Sequence, residues 1–141
     1  LENTAYPITV NTEGDTFTGF YISGSNGSTV SGSAIVIPKK GTYDLQFSLQ
    51  IQNTGGGGTN SAASIWLRKN GSDIPWSNTN VSVYSNSPYI VAAWDFMGSY
   101  DVGDKLELMW ATNHVGNQIS AIPTNPPAPE TPSVIVTIME I

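Results

Sequence analysis

A single histidine and no cysteine limit the acid–base and nucleophilic chemistry open to these 141 residues. Any Ser-His-Asp arrangement must include His114. It lies in Asn113-His114-Val115-Gly116-Asn117, a turn-like stretch in which a histidine is expected to be solvated. Paired carboxylates for glycoside hydrolysis would have to come from Asp73, Asp95, Asp101, Asp104 and Glu107. Asp101 and Asp104 flank a turn, where aspartate bonds nearby backbone amides, and Glu107 falls on the solvent side of an alternating strand. Asp95 stands between Trp94 and Phe96, so a buried carboxylate paired with Arg68 or a backbone donor is expected there. Calcium needs a dense set of oxygen ligands, and no Asp-x-Asp-x-Asp run occurs. One histidine cannot make a zinc site unaided. The glycines 55–58 are followed by no Lys-Ser/Thr and no helix start, so they form no phosphate loop. The residue inventory therefore implies no catalytic residue, no metal and no cofactor.

Binding chemistry is better represented. Trp76 follows Pro75 in a hairpin return, and Tyr84 and Tyr89 flank the Ser85-Asn86-Ser87-Pro88 loop. Trp76, Tyr84, Asn86 and Tyr89 are the candidate ligand-binding residues, because aromatic faces beside amides and hydroxyls can stack on sugars and bond their hydroxyl groups. The same rings could instead pack at the ends of a sandwich or between subunits. Five basic residues against eleven acidic ones, a net charge of −6, cannot build a phosphate-binding stripe, which excludes nucleic acid as an expected partner. No apolar run approaches the ~20 residues of a membrane-spanning helix, so no membrane insertion is expected. The start, LENTAYPITV, has no basic region followed by an apolar stretch, and it reads as a cut edge or a mature product rather than a signal peptide. Asn26, Asn70 and Asn80 open Asn-x-Ser sequons, as expected by chance in a chain rich in Asn and Ser.

The elements that must position these residues are strands. Tyr43, Leu45, Phe47, Leu49 and Ile51 alternate with Asp44, Gln46, Ser48, Gln50 and Gln52, which is period two for ten residues. Shorter strands are expected at 33–37, 63–69, 73–76, 80–84, 89–96, 105–111 and 133–141. Asn70-Gly71 suits a type I′ hairpin turn, and a proline-rich loop covers Ile122–Pro132. No 3,4 periodicity is sustained, so no substantial helix is expected. With 39% apolar and 11% charged residues, the composition suits short strands joined by turns rather than disorder. The expected fold is all-β, a two-sheet antiparallel sandwich or barrel, with residues 1–32 a loose lead-in packing on or linking to the domain and 33–141 the domain.

The order of motifs from residue 33 resembles the jelly roll of the complement C-one-q globular head and the tumour necrosis factor superfamily. The pieces are I-P-K-K-G-T-Y-D-L-Q-F-S-L (37–49), L-R-K-N-G (67–71), Y-D-V-G-D-K-L-E-L (100–108) and P-S-V-I-V-T-I-M-E-I (132–141), and the resemblance runs over 33–141, about three-quarters of the chain. The ending is also similar to the ends of structural proteins of marine tailed phages. Neither a collagen-like stalk nor the family's calcium pattern can be placed on these residues. The resemblance implies a jelly-roll homotrimer used for recognition or particle architecture.

An independent argument points the same way. Tyr89–Phe96 and Ser133–Ile141 are apolar on both faces, yet a strand in a two-layer sandwich needs one apolar face for its core. The spare faces, Tyr89, Val91 and Ala93 with Ile135, Thr137 and Met139, are the expected trimer interface. Phe17, Phe20 and Tyr21 covering that surface within one chain is the alternative. The expected function is a non-enzymatic virion domain, extracellular, that trimerises and presents loops to a host-surface glycan or protein. The rival is a monomeric carbohydrate-binding module of a secreted enzyme.

Overall fold

The computed structural model describes residues 2–8, 34–55, 61–84 and 89–141. Ten strands occur in it: β1 (Tyr6–Pro7), β2 (Ala34–Val36), β3 (Gly41–Asn53), β4 (Ala62–Lys69), β5 (Ser72–Asp73), β6 (Thr79–Ser82), β7 (Ile90–Tyr100), β8 (Lys105–Thr112), β9 (Asn117–Ile119) and β10 (Val134–Glu140). Every pairing is antiparallel, and no helix is found among the described residues.

Two sheets form. In one, β8 and β4 are central, with β1 and β2 along the outer side of β8 and β5 and β6 along the outer side of β4. In the other the order is β10-β3-β7, with β9 continuing the β10 side of β3. From β2 onward the chain crosses repeatedly between the sheets (β2 to β3, β3 to β4, β6 to β7, β7 to β8). That is the jelly-roll-like way of enclosing one core.

The period-two pattern explains the core residue by residue. Tyr43, Leu45, Phe47, Leu49 and Ile51 of β3 face inward and meet Ala63, Ile65 and Leu67 of β4 and Leu106 and Leu108 of β8, all buried. Phe47 anchors the β7 side, with its ring 4.6 Å from Trp94 edge-on and 5.8 Å from Phe96 stacked. Such aromatic pairs add to the hydrophobic gain of burial.

Residues 2–8, at the start of the lead-in, pack on the domain: β1 pairs with Trp110 and Met109, and Ile8 enters the core. One expectation changes: β7 runs to Tyr100 instead of stopping at Phe96, because Met97–Tyr100 continue pairing along Asp44–Gly41. Phe17, Phe20 and Tyr21 lie outside the described residues.

Candidate functional site

The spare apolar residues do share one surface. In register, Ile135 faces Ser48, which faces Ala93; Thr137, Gln46 and Asp95 form the next row, and Met139, Asp44 and Met97 the next. Val91 lies beside Gln50 on the same face. Ile135, Met139, Val91 and Met97 remain 52%, 40%, 58% and 67% exposed. Tyr89, just before β7, is exposed too. The face is not apolar throughout, however. The sequence pattern treated β7 and β10 in isolation, whereas β3 runs between them and contributes Asp44, Gln46, Ser48 and Gln50. Two apolar margins, one strand spacing of about 4.8 Å to either side, flank a polar midline.

Asp44 is the unusual member of that midline. It is 8% exposed, and Oδ2 accepts the Gln46 side-chain amide at 3.0 Å while Oδ1 is buried with no hydrogen-bond partner among the described residues. An unmet buried acceptor of this kind costs about 1–3 kcal/mol.

Asp95 is corrected. It lies exposed on this outer face opposite Gln46, not buried against Arg68. Arg68 belongs to the other sheet, where its Nε–H donates to Asp73 at 2.8 Å. Asp101 and Asp104 close a turn as expected: Asp101 N–H donates to Asp104 Oδ2, and Asp104 Oδ1 accepts from Asn70 Nδ2. Those bonds hold the Asp104 carboxyl below the ordinary carboxylate range. His114 is half-buried rather than freely solvated. Its Nδ1 accepts the Gly116 N–H at 3.0 Å, and its own N–H donates to Thr112 Oγ1. Among the described residues no three acidic or histidine side chains gather as a metal would require.

The binding aromatics are separated. Trp76 is fully exposed and lies beside Leu67, late in β4, because Ser77 Oγ accepts the Leu67 N–H at 3.1 Å. Tyr84 is at the other end, next to Val83, whose N–H reaches Ser61 O before β4 begins. Six residues of strand rise put these points on the order of 20 Å apart. Tyr89 lies at that second end, on the β7 side. Asn86 lies outside the described residues. Trp76, Tyr84 and Tyr89 therefore form no single platform.

Two features were missed. Met97 continues the Val91–Ala93 face and could have been found by extending the alternation past Phe96. Trp66 occupies an outward position of β4, where a polar residue would be ordinary; its indole N–H donates to Asp73 Oδ1 at 2.8 Å. The bond from Trp66, then that from Arg68, holds the Asp73 carboxyl below its usual value. A carboxylate with a depressed folded value supports its contacts above the unfolded value and loses them as pH falls through the folded one. The Trp66 indole N–H resonance should therefore titrate with a midpoint below 3.8, the ordinary aspartate value. A midpoint at or above 3.8 would remove this bond from the account.

An open cleft of about 430 Å³ near β1, β9 and the start of β10 is lined by residues including Ile8, Trp110, Gln118 and Val134, with no ionisable group among the described ones.

What fold and surface define is an all-β, jelly-roll-like two-sheet sandwich with a half-apolar outer face. Neither a protein-family model nor a curated protein sequence matches the chain.

Proposed function

We propose that this chain is a non-enzymatic virion domain that assembles as a homotrimer through the outer face of the β10-β3-β7 sheet and presents its end loops to a host surface. One observation carries the reading: Val91, Met97, Ile135 and Met139 sit exposed in register on one face. Two exposed apolar margins on one sheet face favour a protein contact over a fully solvated face. Three strands about 14 Å wide and roughly 30 Å long offer only part of the ~800 Å² per partner of a standard interface. A ring in which each copy meets two others by face and edge supplies the remainder. The motif order shared with trimeric jelly rolls and the phage-like ending supply the setting.

Light scattering behind gel filtration tests the reading. The expected mass is about three times the 15.0 kDa chain. A single monomeric peak across micromolar concentrations would overturn it.

A further inference from the structure

A second surface, on the six-stranded sheet, is built from side chains that the assembly face does not use. Trp66 Nε1–H and Arg68 Nε–H both donate to Asp73 Oδ1, each at 2.8 Å. Trp66 and Arg68 alternate along β4 with the buried Ile65 and Leu67, so they lie on the outward face, and Asp73 of β5 is Arg68's cross-strand partner. One carboxylate oxygen thus fixes both an indole and a guanidinium. The other oxygen, Oδ2, and the two Nη groups of Arg68 have no hydrogen bond to another of the described residues. Ser64 Oγ and Asn80 Oδ1, 2.6 Å apart, continue the row on the same face.

Trp76 stands at the edge of this surface with φ +67°. That left-handed backbone is strained for a bulky residue, and the side chain is fully exposed, so the ring gains nothing from burial in this fold. The conformation is nevertheless held firmly. Ser77 Oγ accepts from Leu67 N–H and donates to Ile74 O at 2.8 Å, while Ile74 N–H donates to Leu67 O at 2.9 Å. Strain maintained by a dedicated set of bonds, at a residue that presents a large ring to solvent, is the pattern of a binding position.

The geometry points to a carbohydrate-binding patch made of Trp66, Arg68, Asp73 and Trp76, taking an uncharged pyranose of a glycan. A sugar ring has an apolar C–H face and adjacent hydroxyls around its rim. The indoles meet the first, and the acceptor Asp73 Oδ2 beside the Arg68 Nη donors meets the second. Because Trp66 and Arg68 are already fixed by Asp73, little side-chain entropy is lost on binding. The one cation here is paired with Asp73, which favours a neutral ligand over a phosphate-bearing one. The inference takes its setting from the display reading, but not its measurability, since a monomer carries the complete patch.

Affinity electrophoresis through gels cast with dextran, mannan, xylan or β-1,3-glucan tests it on the wild type and on Val91→Asp. Retardation of both by at least one polysaccharide is expected. Trp76→Gly removes the ring and suits the left-handed backbone, so it should weaken binding about tenfold or more with a melting temperature equal to or above wild type. Asp73→Asn should weaken binding as well. Absence of retardation in all four gels overturns the patch, as does undiminished binding by Trp76→Gly. A change of oligomeric mass in Trp76→Gly without any polysaccharide binding would also overturn it, by assigning the ring to a protein contact. A wild type that is monomeric yet retarded upholds the patch and removes the trimer.

Discussion

Val91→Asp and Ile135→Asp, alone or together, are expected to convert the proposed trimer to the 15.0 kDa monomer while the sandwich stays folded. Both side chains are more than half exposed, on the two flanking strands of the same face. Replacing either costs the isolated chain only the difference in strand preference, which spans about 1 kcal/mol. In the assembly the same change buries an unpaired carboxylate, with an effective penalty of several kcal/mol. Repeated at every symmetry-related contact, that loss exceeds what a micromolar interface can absorb.

Two controls separate the face from general effects of added charge. Val102 and Val115 are exposed to a similar degree, in the turn before β8 and the turn before β9. Val102→Asp and Val115→Asp should keep the wild-type mass. Equal behaviour of all four variants would mean that the chain associates, if at all, through another surface. The net charge of −6 adds a salt dependence. Association works against mutual repulsion, so screening should strengthen it rather than weaken it.

The fold was legible where a single physical rule decides it. Along β3 the alternation of apolar and polar residues is the alternation of inward and outward side chains, and Tyr43 to Ile51 are buried as that rule requires. The two-sheet antiparallel sandwich was legible from the many short strands separated by turn signals. What stayed hidden depends on neighbours across a sheet, which are close in space and far apart in sequence. Asp95 looked buried because Trp94 and Phe96 adjoin it, but adjacent residues in a strand face opposite ways, and those rings point inward while Asp95 points out. The polar midline of the outer face comes from β3, and no reading of β7 and β10 by themselves could include it. Trp66 went unnoticed because its significance rests on Asp73, seven residues on, folding back beside it. Trp76 was legible as an exposed ring; its strained backbone was not, since nothing in Pro75-Trp76-Ser77 specifies a left-handed φ.

The least legible element carries the largest expected loss of stability. Asn117 is 4% exposed at the end of the sandwich, in a segment that sequence alone marks only as a turn. Its Nδ2 donates to Ser61 Oγ at 2.6 Å and to Thr112 Oγ1 at 2.8 Å, and its Oδ1 accepts from Asn53 Nδ2 at 3.0 Å. Asn53 Oδ1 in turn accepts the Gly55 N–H. One amide therefore ties β3, β8, β9 and the residue before β4, with both N–H donors and the carbonyl oxygen engaged. Beside it the chain passes itself so closely that a Cβ on Gly116 would lie 2.7 Å from Gly55 N, and only glycine fits there. Asn117→Ala should cost about 2–4 kcal/mol, because the Asn53 amide loses its buried acceptor and the vacated space has no replacement donor for Ser61. Thr112 is spared part of the loss, since its hydroxyl still donates to Ala62 O at 3.0 Å. Ser61→Ala removes one bond at the margin of the same group and should cost about 1 kcal/mol. Thermal unfolding followed by circular dichroism checks both, with a fall of roughly 10 °C expected for Asn117→Ala. A loss below that of Ser61→Ala would mean the strand ends are held by their backbone ladders and not by this amide.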